Sequence, residues 1–429
     1  MNYNETIEYL YSQLPMFSRI GVAAYKKDLH NTLELCHFLG NPHQKFRSIH
    51  IAGTNGKGST SHMLAAILQQ AGYKTGLYTS PHIKDFRERI RINGKMISQD
   101  FVVDFVARSR KISEAISPSF FELTVAMAYD YFAASKVDIA VIETGLGGRL
   151  DSTNVISPVL SVISNIGYDH INILGTTLPE IAAEKAGIIK QDTPVVIGET
   201  LAETIQVFQQ KAKDMHADIQ LAQERYTVTH SKSTGSFLLC EVLNTSTNKT
   251  VEYKLDLAGL YQSKNLCTVL TAVDELNKQG FSIAENIIQD ALQQVKLLTG
   301  LRGRWDIIEN DPTLILDVGH NEDGIKQIIR QLKENYPGAS YHFVMGFVND
   351  KDITGLLTLL PKDASYYFSN AHIPRALPYY TLQQLAAEKS LQGDGYDDVN
   401  DAIDAARKNA AEKDVIMVCG SFFIIAEVK

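Results

Sequence analysis

A glycine-rich loop in which two hydroxyl residues follow a lysine offers the clearest chemistry in this sequence. It spans residues 53–60, between an apolar β-like run at 48–52 and a helical pattern at 63–68. At such a strand–loop–helix junction the backbone N–H groups face an anion, a lysine neutralises phosphate oxygens, and a hydroxyl reaches Mg²⁺. The residues predicted to bind phosphate are Asn55, Gly56, Lys57, Gly58 and Ser59. An ordinary Gly/Asn turn before a helix is the alternative interpretation.

Two side chains that can bind a metal ion follow later strand candidates. Glu143 ends the apolar run 137–143, and His170 comes shortly after the run 158–164. Open α/β sheets place their ligands at the strand ends, and a carboxylate there is a natural Mg²⁺ ligand. Glu143 and His170 are therefore predicted to share a metal site beside the loop at 53–60, which is called the phosphate loop below. The alternatives are a helix-capping glutamate and a structural histidine.

A hydroxyl and a lysine are further candidates for the same site. Ser80, in Thr79-Ser80-Pro81-His82, closes the strand after the phosphate-loop helix and can present its hydroxyl to the metal. Its alternative role is an N-cap followed by proline at the first helical turn. Lys185 lies at the end of a predicted helix. There a cation is also favoured by the helix dipole alone.

The last third of the chain adds an acid, an imidazole and an arginine. Asp317 and His320 follow a strand candidate at 313–317, where they can reach ribose and phosphate. Arg304, in a Gly-Arg pair, can supply the mobile cation that phosphoryl transfer needs.

These residues need a scaffold of alternating strands and helices, and the sequence has that pattern. Short β-branched runs alternate with helical segments over the first 190 residues, a small antiparallel excursion is predicted between about 218 and 256, and alternation resumes after 298. The fold class is therefore α/β. We predict an N-terminal P-loop ATPase-like domain with a parallel-rich sheet over 1–297. A smaller Rossmann-like domain is predicted over 298–429, with a cleft between the two.

Composition narrows the class of protein. The chain has 429 residues, 45% hydrophobic and 21% charged, as in a soluble globular protein. A net charge of −8 argues against a nucleic-acid surface or a polybasic membrane patch. No secretory signal and no apolar run of membrane-spanning length is visible, and the four scattered cysteines fit neither a zinc motif nor a disulfide framework. We therefore expect a cytoplasmic protein.

Taken in order, these motifs resemble the folylpolyglutamate synthase/dihydrofolate synthase family, within the Mur ligase superfamily. Each motif alone is modestly specific, whereas the ordered set spans nearly the whole chain. The segments that carry the likeness are 39–42, 53–59, 80–82, 120–122, 143–154, 169–170, 184–188, 303–304, 317–321, 350–352 and 419–422.

The resemblance implies an ATP-dependent ligase that joins L-glutamate to a pterin-bearing carboxylate through an acyl phosphate, releasing ADP and phosphate. It implies a catalytic set of Lys57, Lys185, His170 and His320. It implies ATP contacts from the phosphate loop with Asn265, Arg304 and Asp317, and Mg²⁺ ligands among Ser59, Ser80, Glu143, His170 and Lys185. Lys185 resembles the superfamily lysine that is carbamylated, while a potassium requirement stays open.

The resemblance also implies substrate contacts. Phe121, Glu122, Leu150, Asp151 and Ser152 match the pterin side, where an aromatic ring can stack and a carboxylate can accept hydrogen bonds. Arg375 and Ser421 are assigned to the carboxylates of glutamate. The neighbouring Phe120 is as well explained as helix core. The implied partners are small molecules only, and the family suggests a monomer.

The sequence departs from standard patterns at several points. Ile51 stands at the first glycine position of a Walker loop, and Gly58 separates Lys57 from Ser59. Ahead of this loop Tyr25-Lys26-Lys27-Asp28-Leu29 replaces the Gly-Leu loop that the family often has near the pterin, and no pterin contact is assigned there. Gly319 and Glu322 replace an alanine and a proline around His320, and Arg302 gives the Gly-Arg pair a competing arginine.

Three alternatives stay open at this stage. A cell-wall Mur ligase shares the ATP chemistry but needs a UDP-binding domain, for which the roughly fifty residues before the loop leave little room. An ATP sensor that ligates nothing would keep Lys57 and Ser59 alone. Within the family, the acceptor is dihydropteroate, a reduced folate, or both. The matches at 120–122 and 150–152 favour both, and the alternative is a single-activity folylpolyglutamate synthase.

Overall fold

The structure is a computed structural model that describes residues 1–16, 21, 28–349 and 353–429. The segments Tyr25-Lys26-Lys27 and 350–352, which the sequence analysis singled out, lie outside these residues. Contacts divide the chain into two compact units. The first comprises Met1–Ser231, Cys240–Asp256 and Gln262–Leu301, and the second comprises Lys232–Leu239, Leu257–Tyr261 and Arg302–Lys429.

The first unit is built on an eight-stranded sheet whose order is β4-β3-β2-β5-β1-β6-β7-β8. From β2 to β8 neighbouring strands are parallel, while β3 and β4 pair antiparallel at one edge. The strands are β1 Arg47–Ala52, β2 Thr75–Tyr78, β3 Ile90–Ile92, β4 Lys95–Met96, β5 Ile139–Glu143, β6 Leu160–Ile163, β7 Val195–Ile197 and β8 Ile219–Leu221. β1 and β5 are buried almost throughout because helices cover both faces of a parallel sheet.

Helices connect these strands. They are α1 Tyr3–Gln13, α2 His30–Phe38, α3 Lys57–Gln70, α4 Gln99–Ile116, α5 Phe120–Ala134, α6 Ile171–Leu174, α7 Leu178–Ala186, α8 Ile205–Asp214, α9 Ala222–Arg225, α10 Gln262–Lys278, α11 Glu285–Leu292 and α12 Val295–Thr299. α3 follows the phosphate loop and is buried from Gly58 to Leu68, since α10, α11 and α12 pack against it. His62 on α3 pairs with Thr299 at 2.8 Å, so this buried imidazole has a hydrogen-bond partner.

The predicted excursion between 218 and 256 is a three-stranded sheet of order β11-β10-β9. Its strands are β9 Tyr226–Ser233, β10 Leu238–Asn244 and β11 Lys249–Leu255. Loops of about four residues join consecutive strands, which is possible only for antiparallel neighbours because parallel ones need a long crossover.

The second unit contains a six-stranded sheet of order β12-β13-β17-β14-β15-β16. Its strands are β12 Asp306–Asn310, β13 Thr313–Leu316, β14 Tyr341–Met345, β15 Ser365–Ser369, β16 Gly393–Tyr396 and β17 Val415–Cys419, and its helices are α13 Glu322–Asn335, α14 Thr354–Leu357, α15 Tyr379–Ala387, α16 Val399–Asn409 and α17 Phe422–Glu427. All pairs are parallel except β12 with β13. The α/β class predicted from the sequence is confirmed. The strands β12 and β16 were not predicted, because β12 is polar and half exposed and β16 contains two glycines.

The core includes Phe120, which the sequence analysis explained equally well as helix core. Phe120 is 3% exposed and packs among Tyr11, Phe86 and Arg89, so its role is in the core.

All four cysteines are buried free thiols. Among the described helices, none is both long enough and apolar enough to cross a lipid bilayer.

Candidate active site

The carboxyl ends of four parallel strands meet along one edge of the large sheet. In the order β2-β5-β1-β6, Tyr78 is opposite Ile142, Ile51 is opposite Glu143, and Ala52 is opposite Ile163. Neighbouring strands are about 4.8 Å apart. The segments that follow these strands, which begin at Thr79, Thr144, Gly53 and Ser164, therefore lie side by side.

The phosphate loop is held by the segment after β6. The backbone N–H of Asn55 donates to Oδ1 of Asn165 at 2.7 Å, and the hydroxyl of Ser164 donates to the Asn55 carbonyl at 2.6 Å. Thr54 Oγ1 donates to the Gly167 carbonyl at 3.0 Å. Sequence analysis gave Ser164 and Asn165 no role. Their position directly after a strand that neighbours the phosphate-loop strand was the available signal.

Two loop glycines are required by the backbone and by space. Gly53 has φ +151° and Gly56 has φ +83°, a left-handed conformation at the N-cap of α3. A Cβ on Gly53 would lie 1.9 Å from Ser164 Oγ, and one on Gly56 would lie 2.3 Å from Asn265 Oδ1. The loop therefore packs against two other segments of the first unit more closely than any side chain allows.

Two lysines converge on the carbonyl oxygen of Gly53. Lys57 Nζ donates to it at 2.9 Å and also to the Thr54 carbonyl at 3.1 Å. Lys185 Nζ, from the last turn of α7, donates to the same Gly53 oxygen at 2.9 Å. Lys185 is 3% exposed. Loss of hydration and, to a smaller extent, the charge of Lys57 lower its pKa to about 7, against the opposing charges of Asp169 and Asp151.

A buried chain of amides links the phosphate-loop helix to α10. Gln262 Nε2 donates to Ser59 Oγ at 3.0 Å, and Asn265 Nδ2 donates to Gln262 Oε1 at 2.8 Å. Ser59, Gln262 and Asn265 are all buried. The structure thus brings the predicted adenine contact, Asn265, beside the phosphate loop. It also adds Gln262, to which sequence analysis gave no role.

The predicted metal ligands Ser80 and Glu143 lie together. The Ser80 N–H donates to Oε2 of Glu143 at 3.3 Å, and Glu143 is 4% exposed. Ser80 is not an N-cap, because the next helical turn, Phe86–Arg89, is capped by Asp85.

His170 lies between β6 and α6, at the N-cap of α6, and pairs with Asp169, with 3.8 Å between His170 Nε2 and Asp169 Oδ2. Within the described ranges, no group of three or more His, Cys, Asp or Glu side chains is placed to hold a metal on its own.

The residues assigned to the pterin differ in their surroundings. Phe121 packs against the backbone of Gly145, where a Cβ would lie 2.4 Å from the ring, and its side chain is half-buried. Glu122 is 2% exposed and caps α5 through the Ser119 N–H, while its Oε1 atom is buried without a partner. Leu150 and Ser152 are half-buried on either side of Asp151.

Asp151 is fully engaged inside the protein. Its Oδ2 accepts from the N–H groups of Gly145 and Leu146, at 2.9 and 2.8 Å. Its Oδ1 accepts from the backbone N–H and the hydroxyl of Thr153, a hydroxyl that also contacts His50 at 2.8 Å. Burial raises the pKa of Asp151, and these donors oppose the shift. The aspartate thereby fixes the loop after β5.

The second unit gathers its candidates at the carboxyl edge of its own sheet. Asp317 is 3% exposed and accepts from the Tyr261 hydroxyl at 2.7 Å, the Trp305 N–H at 2.8 Å and the Gly319 N–H at 2.8 Å. Burial raises its pKa, although these bonds and the charge of Arg304 oppose the shift.

The other candidates in that unit also follow strands of the six-stranded sheet. His320 Nδ1 donates to the Val318 carbonyl at 2.9 Å. Ser421 caps α17 through the Ile424 N–H, at 3.3 Å. Arg375 lies in the segment after β15, and its carbonyl accepts from the Asn349 N–H at 2.9 Å.

Models of two protein families match the chain. The Mur ligase middle domain matches residues 51–273, and the Mur ligase glutamate ligase domain matches residues 303–422. The dihydrofolate synthase/folylpolyglutamate synthase of Bacillus subtilis is 33% identical over 401 residues, which cover 91% of each chain. This chain belongs to the dihydrofolate synthase/folylpolyglutamate synthase family of Mur ligases. It is therefore an ATP-dependent ligase.

Further members of the family are similar over their whole length. The folylpolyglutamate synthase of Lacticaseibacillus casei is 32% identical over 438 residues, which cover 100% of this chain and 98% of that one. The Escherichia coli protein FolC, solved in complex with DHPP and ADP, superposes with a TM-score of 0.86 at 28% identity, covering 99% of this chain and 96% of that one. A folylpolyglutamate synthase solved with AMPPCP gives a TM-score of 0.83 at 30% identity, covering 99% and 98%.

Gly56→Ala is expected to weaken nucleotide binding in this ligase. Alanine adds left-handed strain of about 1–2 kcal/mol, and its Cβ displaces the Asn265 amide from the chain that ends at Ser59. Loss of one hydrogen bond of about 1.4 kcal/mol corresponds to a tenfold loss of affinity, so we expect Kd for ATP to rise about tenfold or more. Isothermal titration calorimetry with ATP measures the change.

Gly72→Ala is the matched control, because Gly72 has φ +90° but open space where the Cβ would lie. It carries only the backbone strain, so its melting temperature falls while its Kd for ATP stays unchanged. Equal Kd values for the two variants would contradict the role of Gly56 in the loop.

Proposed function

We propose that this ligase adds L-glutamate both to dihydropteroate and to reduced folates. The observation that carries the proposal is the site at the sheet edge: a phosphate loop with two lysines on one carbonyl oxygen, and a buried carboxylate on the adjacent strand. Family membership and the pairing of both activities in the names of several relatives support it.

The reaction needs two steps. A carboxylate oxygen of the acceptor attacks the γ-phosphorus of ATP, and the bond between that phosphorus and the β–γ bridging oxygen breaks, releasing ADP. The amine of glutamate then attacks the acyl carbon of the acyl phosphate, loses a proton and displaces phosphate, which leaves an amide. The protein must bring ATP, the acceptor and glutamate together and neutralise charge on the transferring phosphoryl group.

The phosphate loop supplies the binding of ATP. We propose that Asn55 to Ser59 cradle its phosphates and that Lys57 exchanges its present carbonyl partners for phosphate oxygens. We propose that Asn265 contacts adenine and that Arg304 and Asp317 contact ATP. Since Asp317 already accepts three internal bonds, we propose that it acts partly by fixing the segment that carries His320.

The donor set at the strand ends fits Mg²⁺. Glu143 and the hydroxyls of Ser59 and Ser80 are the hard oxygen ligands that this ion prefers, and His170 is a fourth candidate. When bound, Mg²⁺ neutralises phosphate charge and polarises the γ-phosphoryl group.

Lys185 is proposed to work as a carbamate. A buried lysine with a pKa of about 7 has a large fraction of neutral amine at physiological pH, and the neutral amine is the form that adds CO₂. The product is a carboxylate-like group beside Lys57. The repulsion between the two positively charged lysine side chains would then become an attraction between opposite charges.

Phe121, Glu122 and the loop held by Asp151 are proposed to receive the pterin, with Arg375 and Ser421 for the carboxylates of glutamate. Because all four acceptor directions of Asp151 are used internally, we propose that it acts by shaping the loop. We propose that the enzyme acts as a monomer.

The test is ADP release by the purified protein with Mg-ATP and glutamate, with dihydropteroate and tetrahydrofolate supplied in separate reactions and products identified by mass. A glutamate adduct of both acceptors is expected. An adduct of only one would reduce the proposal to a single activity. ATP binding without ADP release or adduct would overturn it and favour a nucleotide sensor.

A further inference from the structure

Phe422 and Phe423 follow strand β17 of the six-stranded sheet, and each lies against an arginine. The Cζ atom of Arg304 is 5.0 Å from the centroid of the Phe422 ring, and that of Arg375 is 5.6 Å from the centroid of Phe423. A guanidinium held over an aromatic ring is attracted by the negative face of the ring. Neither phenylalanine was assigned a role above.

The topology explains why adjacent residues contact different arginines. β17 lies between β13 and β14, and successive residues of a helix point about 100° apart. Phe422 lies toward β13, and the centroid of its ring is 5.9 Å from that of His320, which follows β13. Phe423 meets the arginine from the segment after β15.

The turn that carries both rings is fixed by close backbone packing. Gly420 has φ +111°, and a Cβ there would lie 2.7 Å from the Gly346 carbonyl oxygen. The Gly420 N–H donates to the Gly319 carbonyl at 3.0 Å, and Ser421 caps the helix that begins at Phe422. The two rings are therefore presented from a rigid turn, whereas an arginine has several rotatable bonds of its own.

We propose that Phe422 and Phe423 are positioning residues that hold the two arginines for different substrates. Phe422 holds Arg304 and His320 for the phosphates of ATP, and Phe423 holds Arg375 for a carboxylate of glutamate. This inference rests on the roles that the proposed function gives those three residues.

The test compares Phe422→Leu with Phe423→Leu, which keep apolar volume and lose the aromatic face. Steady-state kinetics give kcat and the KM for ATP and for glutamate. We expect Phe422→Leu to raise the KM for ATP by about 3- to 10-fold and the KM for glutamate less than twofold, the range a lost cation–π contact supports. Phe423→Leu gives the reverse pattern, and Phe422→Tyr and Phe423→Tyr restore the original values.

Arg304→Ala and Arg375→Ala separate the failure of this inference from failure of the proposed roles. If Arg304→Ala raises the KM for ATP and Phe422→Leu does not, the positioning role is wrong and the role of Arg304 stands. If Arg304→Ala leaves that KM unchanged, the role assigned to the arginine itself is wrong, and the same reasoning applies to Arg375 and glutamate. Leucine variants that raise both KM values equally, without rescue by tyrosine, would show general packing and overturn the inference.

Discussion

Lys185→Met is expected to lower kcat by about 100-fold or more while leaving the protein at least as stable as the wild type. The lysine is buried, donates to the Gly53 carbonyl beside Lys57, and is the residue that we propose carries the carbamate. Methionine has a similar length and no charge to desolvate. Activity and stability should therefore change in opposite directions, because the buried amine is unfavourable for folding.

The pH dependence of stability follows from the lowered pKa. In CO₂-depleted buffer, the folded pKa of about 7 lies below the ordinary 10.5 of an unfolded lysine. Between these two values the unfolded chain binds more protons than the native one, so the contribution of Lys185 to the unfolding free energy rises with pH. Below pH 7 the full cost of the buried charge applies. Denaturant unfolding of the wild-type and Lys185→Met proteins at pH 6.5, 8 and 9.5 measures the difference between their unfolding free energies, which should change in favour of the wild type as the pH rises.

Lys190→Met is the matched control for Lys185→Met. Like Lys185, Lys190 has a lowered pKa and donates to a backbone carbonyl, that of Asn154, at 2.9 Å. It is only partly buried and lies outside the proposed site. We expect its kcat within about twofold of the wild type, the range of an ordinary substitution away from a site. A Lys185→Met enzyme that kept wild-type turnover would remove the lysine from the mechanism, carbamate included.

Glu143→Gln is expected to lower kcat by about 100-fold and to raise the Mg²⁺ concentration for half-maximal activity by at least about tenfold. The carboxylate is 4% exposed and ends the strand beside the phosphate loop, where Ser80 N–H contacts it. Glutamine keeps the shape and can still accept that hydrogen bond. It loses the negative charge that makes the side chain a strong ligand for a hard cation. Mg²⁺ titrations of ADP release measure both effects.

Glu275→Gln provides the control for loss of a buried carboxylate as such. Glu275 is 3% exposed and pairs with Lys278 on α10. We expect lower thermal stability from this variant, with an unchanged Mg²⁺ requirement. Should Glu143→Gln show the same Mg²⁺ dependence as the wild type at reduced kcat, the carboxylate would have to act on the reacting groups by another route.

Sequence alone predicted the parts of this protein that depend on neighbours in the chain. The strand, glycine-rich turn and helix around residues 53–60 are an example, because they follow one another in the chain and each has a local physical signal in the sequence. The central strands were equally readable, since a strand buried on both faces must be apolar throughout. The edge strands β12 and β16 were missed because polar, half-exposed strands resemble loops in composition.

Only the tertiary structure decided which distant residues meet. Lys185 donates to the carbonyl of Gly53, 132 residues earlier, because α7 and the phosphate loop pack at the same sheet edge. The closure of the loop by Ser164 and Asn165, the internal hydrogen bonds of Asp151, and the division of Phe422 and Phe423 between two arginines have the same origin. Spacing along the chain fixes periodicity and local turns. The partner of a buried polar group is fixed by strand order, which hydrophobic burial and backbone pairing settle across the whole sheet.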